Sequence, residues 1–270
     1  MTAAMGRSAN ALGDQLRTWR QRRRMSQLDL ACEAEVSARH LSFVETGRSA
    51  PSREMVLRLA EHLAVPMRER NVLLVSAGFA PLFPERSLDD PHLKPAQDAI
   101  QLVLESHKPY PAFALDRHWG IAASNSALQV LYEGVAPALM ERPVNAIRLS
   151  LHPQGLAPRI LNLAEWSAHL IHRLHEQIDA TGDPVLIALA DEAAGYARAG
   201  LAGRPPQRPS EGVVIPFRVM TSIGELSFLS TTMVFGTPVD VTLSELMIET
   251  FFPADEDTVQ RVRRHVQKDA

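Results

Sequence analysis

Apolar residues recur at helical spacing through the first third of the chain, as in Leu12, Leu16 and Trp19. Ser26 followed by Asp29 resembles a capping box, and glycine or proline ends each later segment. Residues 1–10 are small and polar, and we expect them to be disordered. The pattern predicts five helices, which run over residues 12–24, 26–34, 37–46, 51–65 and 67–77.

The pattern changes after residue 80. Residues 80–95 contain four prolines with acidic residues between them, which predicts a linker between a domain at 11–79 and a second domain at 96–270. Residues 242–252 fit either a helix or a strand, and we favour the strand. The other predicted elements are helices over 96–104, 125–132, 157–178 and 184–198, strands over 112–124, a loop over 203–212, and a β-hairpin over 213–235 around Ile223-Gly224. The predicted fold class is multidomain: an all-α domain followed by an α+β domain with an antiparallel sheet.

Charge separates the two predicted domains. Residues 1–80 hold 12 Arg and Lys against 8 Asp and Glu, whereas the remainder holds 16 against 23. A basic N-terminal part on an acidic body is expected when only the first part approaches phosphates. The chain has no apolar run long enough for a signal peptide or a membrane span, so we expect a cytoplasmic protein.

Enzyme and metal chemistry find little support in the sequence. It has no glycine-rich phosphate loop, no His-Glu-x-x-His and no Gly-x-Ser-x-Gly, so we predict no enzyme activity and no cofactor. His169, His172 and His175 recur every third residue of a predicted helix, but such steps rotate around the helix, so we favour a polar face over a metal site. Cys32, the only cysteine, is predicted to be a buried thiol in the second helix.

The second and third predicted helices carry a set of spaced residues. The set comprises Ser26-Gln27-x-x-Leu-Ala, Val36-Ser37 and Leu41-Ser42-x-x-Glu45-x-Gly47-Arg48-x-x-Pro51. It resembles the XRE (lambda-repressor-like) helix-turn-helix family over residues 12–65. In this architecture the second of two short helices enters the major groove of DNA.

The resemblance implies roles for individual side chains in a complex with double-stranded DNA. Base-facing positions are Ala38, Arg39 and Phe43, with His40 and Ser42 next, and phosphate contacts are Gln27, Ser37, Thr46, Arg48 and Ser49. Arg39 suits a guanine edge and Phe43 a thymine methyl. Leu41 and Val44 are expected in the core, and Arg20 with Glu45 matches an internal ion pair of the family. Arg22 to Arg24 either assist binding electrostatically or are a solvated helix end.

The second domain carries a weaker set of motifs. Phe113-Ala-Leu-Asp-Arg-x-Trp119 and Ala123-Ser-Asn125-Ser-Ala, a helical insertion around Trp166 and a late hairpin resemble the MmyB-like ligand-binding domain. That resemblance implies a PAS-like fold and a small apolar or fatty-acid-like ligand. We expect a cavity between the sheet and the helices. Its predicted lining is Phe113, Leu115, Trp119, Leu131, Tyr132, Trp166, Leu170, Phe217, Phe228 and Met233.

These features together predict a ligand-modulated transcriptional regulator that binds a two-fold operator as a homodimer, because a single helix-turn-helix unit makes few contacts. Two alternatives stay open. The C-terminal domain could be only a module for dimerisation or partner binding, or it could be an enzyme fused to a DNA-binding domain.

Overall fold

The computed structural model describes residues 2–205 and 214–269, and it describes the side chains of residues 11–205 and 214–267. The chain forms two compact units, which lie mostly before and after residue 86.

The N-terminal unit is a bundle of five helices, as the sequence predicts. They are α1 (Thr2–Arg22), α2 (Gln27–Glu33), α3 (Ala38–Glu45), α4 (Arg53–His62) and α5 (Met67–Ser76). The backbone of α1 is helical from Thr2 on, so it also covers part of the segment for which the sequence predicts disorder.

Side-chain caps define where the short helices of this unit begin. The Ser26 hydroxyl accepts from the Asp29 amide at 3.1 Å, and the Asp29 carboxylate accepts from the Ser26 amide at 2.8 Å, which completes the predicted capping box. The hydroxyls of Ser37 and Ser52 cap α3 and α4 by accepting from the amides of His40 and Met55, without the reciprocal bond. These caps bind amides that would otherwise lack a partner in the first helical turn.

Cys32 is exposed, so the prediction of a buried thiol is wrong. The buried positions of α2 are Leu30 and Ala31, followed by Ala34 just beyond the helix end. Cys32 follows Leu30 by two residues and therefore lies about 200° further around the helix, on the outer side.

The C-terminal unit is α+β, again as predicted. Its helices are α6 (Lys94–Ser106), α7 (Gln129–Tyr132), α8 (Ala146–Leu151), α9 (Leu163–Thr181), α10 (Pro184–Leu201), α11 (Val241–Ser244) and α12 (Glu256–Asp269). Its strands are β1 (Ala112–Leu115), β2 (Ile121–Ser124), β3 (Phe217–Thr221), β4 (Gly224–Val234) and β5 (Met247–Pro253). Short 3-10 turns lie at Pro91–Leu93, Ser126–Leu128, Pro137–Met140 and Ala157–Arg159.

The five strands form one antiparallel sheet in the order β2-β1-β5-β4-β3. Neighbouring residues of a strand point to opposite faces, and both faces are covered in part. Phe113, Leu115 and Phe251 belong to a large core shared with α8, α9 and α10. Ala112, Ala114 and Ile248 belong to a smaller core shared with α6. The sheet therefore separates two apolar layers.

Three segments of this unit differ from the sequence prediction. The helix predicted over 157–178 is interrupted, because Ile160 pairs with Val219 as a β-bridge and α9 begins only at Leu163. Residues 242–252 contain both predicted alternatives, since the end of α11 precedes β5. Helix α12 was not predicted. Most of the loop predicted over 203–212, and the predicted hairpin start at residue 213, lie outside the described residues.

Candidate nucleic-acid interface and ligand cavity

Helix α3 has a buried side and an exposed side. Leu41 and Val44 are fully buried against α1 and α2, as predicted. Ala38 and Arg39 are exposed on the outer side, whereas His40, Ser42 and Phe43 are half-buried. The five residues predicted to face DNA bases therefore lie along the part of α3 that the bundle leaves accessible.

An aromatic ring on α3 has two arginines close to it. The guanidinium carbon of Arg39 is 5.4 Å from the centre of the Phe43 ring, and that of Arg48 is 6.0 Å away. Both distances are within the range of a cation–π contact. An arginine that contacts a ring through its face can still donate through the N–H groups of its edge.

A buried ion pair fixes α3 to α1 and α2. Arg20 donates to both carboxylate oxygens of Glu45, at 2.8 and 3.0 Å, as the sequence predicts. The Gln27 amide donates to the same carboxylate at 2.7 Å. Burial alone would raise the pKa of Glu45, but these hydrogen bonds and the charge of Arg20 outweigh it and hold the pKa below its ordinary value.

The predicted phosphate contacts differ in what their polar groups already bind. The side-chain N–H₂ of Gln27 donates to Glu45, and the Thr46 hydroxyl donates to the Ser42 carbonyl at 2.7 Å. The Ser37 hydroxyl accepts from His40 at the helix cap and so keeps its own O–H for another acceptor. Arg48 is exposed and Ser49 half-buried, and the amides of both donate to the Phe43 carbonyl. Ser37 and Arg48 are thus better suited to a phosphate than Gln27 and Thr46.

The C-terminal unit contains an apolar cavity of about 60 Å³ between the sheet and the helices. Seven of the ten residues predicted to line such a cavity do line it. These are Phe113, Leu115, Trp119, Leu131, Trp166, Leu170 and Phe217. The remaining walls come mainly from Ile121, Leu128, Ala146, Leu149, Leu156 and Phe251.

One wall of this cavity carries an ion pair that the sequence analysis missed. Arg173 of α9 donates to the carboxylate of Glu249, which is 3% exposed, and to the Thr232 hydroxyl at 3.1 Å. Thr232 in turn donates to Glu249 at 2.8 Å. The Arg173 guanidinium also stacks on Trp119, with 4.8 Å between its carbon and the ring centre. The available signal was an acidic residue within the apolar run of β5.

The two tryptophans of the cavity are held by hydrogen bonds. The Trp166 indole donates to the buried Ser150 hydroxyl at 2.9 Å, and the Trp119 indole donates to Gln177 at 2.6 Å. Buried indole N–H groups require such partners. Both rings therefore have fixed orientations, and the cavity is a formed feature of the fold.

Three predicted lining residues lie elsewhere. Met233 is 39% exposed on β4, on the sheet face opposite Thr232 and the cavity, so its assignment is wrong. Phe228 is fully buried but lines a second pocket. Tyr132 lines a third pocket, and burial raises the pKa of its hydroxyl to about 12.

The three histidines of α9 have different surroundings. His169 lies 5.5 Å from Trp166 between ring centres, and burial lowers its pKa. His172 and His175 are exposed, and His172 lies 3.5 Å from Glu176. Among the described side chains, those of residues 11–205 and 214–267, no three His, Cys, Asp or Glu groups are close enough to hold a metal ion.

Comparison with known families agrees with both geometries. Residues 96–264, more than half of the chain, match the MmyB-like transcription regulator ligand binding domain. The chain belongs to the MmyB-like regulators. Residues 11–73 match a helix-turn-helix domain. No curated protein sequence matches the chain.

Membership in this family gives the general function of the chain. This MmyB-like regulator is a DNA-binding transcription regulator with a ligand-binding domain. Both matched families are regulator domains and not enzymes. No helix in the described part of the chain is long and apolar enough to cross a membrane.

Proposed function

We propose that this regulator binds a two-fold operator as a homodimer, reads its bases with α3, and responds to a small apolar ligand in the C-terminal unit. The observation that carries the proposal is the exposed side of α3. There the exposed Arg39 lies over the Phe43 ring, on a helix that the buried Glu45 ion pair holds to the bundle.

Base reading is assigned to Ala38, Arg39, His40, Ser42 and Phe43, because these residues occupy the accessible side of α3. Phosphate contacts are assigned first to Arg48 and Ser37, and then to Ser49, Gln27 and Thr46, whose side chains would contribute less. Phosphate contacts orient the domain on the duplex, while base contacts provide specificity.

The dimer is proposed on grounds of affinity. One reading helix contacts too few bases for tight specific binding, whereas two helices on half-sites about 34 to 36 Å apart double the contacts. We assign dimerisation to the C-terminal unit, and ligand binding would favour one arrangement of the two reading helices.

The proposed ligand is a small apolar, fatty-acid-like molecule. The aromatic and aliphatic walls of the cavity support it, as does membership in a family named for its ligand-binding domain. At about 60 Å³ the cavity is smaller than the roughly 300 to 1,000 Å³ of typical ligand sites. Ligand entry therefore requires side chains to move.

The small cavity also favours a second candidate, in which the C-terminal unit serves only for dimerisation or partner binding. Mass spectrometry of the purified protein under denaturing conditions separates the two. A co-purified lipid supports the ligand-binding proposal, whereas its absence, together with no binding of added amphiphiles, supports the dimerisation module.

Footprinting on DNA from the protein's own promoter region, at two salt concentrations, tests DNA binding. We expect a protected two-fold site whose affinity falls steeply with salt, because several phosphates are neutralised. A protected site without two-fold symmetry would contradict the dimer. No protection at either salt concentration would contradict operator binding by the ligand-free protein.

A further inference from the structure

A larger pocket of the C-terminal unit is lined by α12, by residues before β1 and by the segment that leads into α7. We call it the α12 groove. Its volume is about 340 Å³, within the usual range for small-molecule sites. Its walls are formed by Lys108, Pro109, Pro111, Ser126, Ala127, Gln129, Val130, Ile223, Phe228, Val262, His265 and Val266.

The groove is mostly apolar, and Lys108 is the lysine among its lining residues. Val262 and Val266 stand one turn apart on α12 and face it together with Val130. Val266 is 46% exposed, so the apolar side of α12 continues past the core into this opening. Lys108 supplies a cation among the lining residues. Such a site suits a ligand with an apolar body and an anionic end.

One aromatic pair separates the groove from the inner cavity. Phe228 forms part of the groove wall and is fully buried, while Phe251 lines the inner cavity. The two rings pack edge to face with their centres 6.1 Å apart. No described side chain lines both pockets. The contact between Phe228 and Phe251 is therefore where the two linings meet.

The position of the anionic end follows from a comparison of the two cations. Arg173 in the inner cavity is already bound to the buried Glu249, and a ligand carboxylate there would leave one of two buried carboxylates without its partner. Among the described side chains, the ion pair of Lys108 is with Glu105, and both side chains of that pair are about 40% exposed. An exposed ion pair contributes little, so a ligand carboxylate can replace Glu105 at small cost.

We propose that the α12 groove binds an elongated monocarboxylate, with its carboxylate at Lys108 and its chain against Val262 and Phe228. The assignment rests on the proposed function in one respect: a ligand in the groove would modulate DNA binding, as is proposed for a ligand in the inner cavity. It differs from the inner cavity in its residues and in its cation.

Isothermal titration calorimetry of the full-length protein tests the groove, with laurate and dodecanol as probes. Lys108→Gln removes the proposed partner of the carboxylate, and we expect it to weaken laurate binding about tenfold and to leave dodecanol binding unchanged. Lys94→Gln is the matched control, since Lys94 also forms an exposed ion pair, with Asp98, but does not line the groove. Laurate binding that is absent, or equally tight in Lys108→Gln, would overturn the proposal.

Groove-filling variants give a second test. Gln129 lines the groove and is exposed, so Gln129→Trp blocks the opening with little risk to folding. We expect it to abolish laurate binding, with Ala127→Leu as a milder variant of the same kind. Leu170→Phe, which fills the inner cavity instead, should reduce laurate binding less than Gln129→Trp. The reverse order would place laurate in the inner cavity and overturn the groove.

The two proposals fail in different ways. If laurate binds through Lys108 but leaves operator affinity unchanged, the groove stands and the ligand response fails. If laurate changes operator affinity equally in wild-type protein and Lys108→Gln, the response stands and the groove fails.

Discussion

Arg39 and Arg48 lie close to the same ring, yet we propose different roles for them. Arg39 lies on α3 itself, whereas Arg48 follows Gly47, where the chain turns with φ at +70°. We therefore expect Arg39 to follow α3 into the major groove and Arg48 to meet the phosphate backbone. The two side chains are chemically identical, so the proposed difference between a base contact and a phosphate contact depends only on where each arginine lies in the fold.

We predict that Arg39→Ala costs about 1 to 3 kcal/mol of operator affinity and relaxes specificity at one base pair. Arg48→Ala should weaken binding to all operator variants alike and reduce the salt dependence. Competition binding against a set of single-base operator variants measures both. Arg58→Ala, which removes an exposed arginine of α4, is the control and should change neither quantity. Equal weakening across all variants by Arg39→Ala would contradict base reading.

Removal of the Glu45 carboxylate should destabilise the N-terminal unit. Glu45 is fully buried and Arg20 is 12% exposed, so Glu45→Gln leaves a buried guanidinium without its counter-charge. We expect a loss of about 3 to 5 kcal/mol, seen as faster amide hydrogen exchange in α3. The control is Glu85→Gln, which breaks the exposed pair with Arg68 and should cost less than about 1 kcal/mol. Equal losses of stability in the two variants would mean that the buried ion pair contributes no more than the exposed one.

The same carboxylate predicts a pH dependence. The pKa of Glu45 lies below its ordinary value of 4.5 in the folded protein, so its contribution is fully present above that value. As the pH falls through the lowered pKa, Glu45 becomes protonated and the contribution is lost. Protection factors of α3, corrected for intrinsic exchange rates, should therefore fall in acid more steeply in the wild type than in Glu45→Gln. Parallel curves would contradict this.

The sequence predicted contacts between residues well where a motif fixes both partners. Arg20 and Glu45 are 25 residues apart, and the family pattern names both. Arg173 and Glu249 are 76 residues apart, and no local pattern connects α9 with β5. Met233 was misassigned because hydrophobicity alone does not show which face of a sheet a residue occupies. An apolar residue can also lie on a face that is partly open to solvent, as Met233 does.

At the scale of elements, the formation of a short helix depends strongly on its caps. Helix α3 has only 8 residues, so most of its hydrogen-bonding groups belong to its ends. Its first turn depends on the bond between the Ser37 hydroxyl and the His40 amide. That turn also contains Ala38 and Arg39, so the cap controls the geometry of the reading surface.

Ser37→Ala should therefore lower both stability and DNA affinity. Loss of an N-cap costs about 1 kcal/mol. Ser52→Ala is a matched control, because Ser52 caps α4 with the same geometry on a helix outside the proposed interface. We expect similar losses of stability in urea unfolding but weaker operator binding only for Ser37→Ala. Equal operator affinities in the two variants would argue against a role for the start of α3 in reading DNA.

Element boundaries were predictable where the sequence supplies caps or turns and were missed where tertiary contacts override periodicity. Ser26, Ser37 and Gly78 marked helix ends correctly. Ile160 continues the helical period, but its backbone pairs with Val219, and Asn162 donates to the Pro216 carbonyl at 2.8 Å. These contacts hold the chain extended before α9. Helix α12 was missed because it is largely charged and its apolar side rests on few valines.

At the scale of the whole molecule, the regulator must couple ligand binding to DNA binding. Coupling between two sites is reciprocal at equilibrium: if a ligand changes operator affinity by some factor, the operator changes ligand affinity by the same factor. This relation holds whatever path through the protein carries the coupling. It therefore tests the ligand response without any assumption about how the two units are arranged.

We predict a coupling of about 5-fold to 150-fold, the typical range of allosteric coupling between two sites. Laurate affinity would be measured by calorimetry with and without saturating operator duplex, and operator affinity with and without saturating laurate. A duplex with both half-sites scrambled is the control, since it retains the phosphate charge but not the bases. Equal factors in the two directions support a specific response. If laurate weakens operator binding while the operator leaves laurate binding unchanged, laurate acts as a detergent on the protein and not as its ligand.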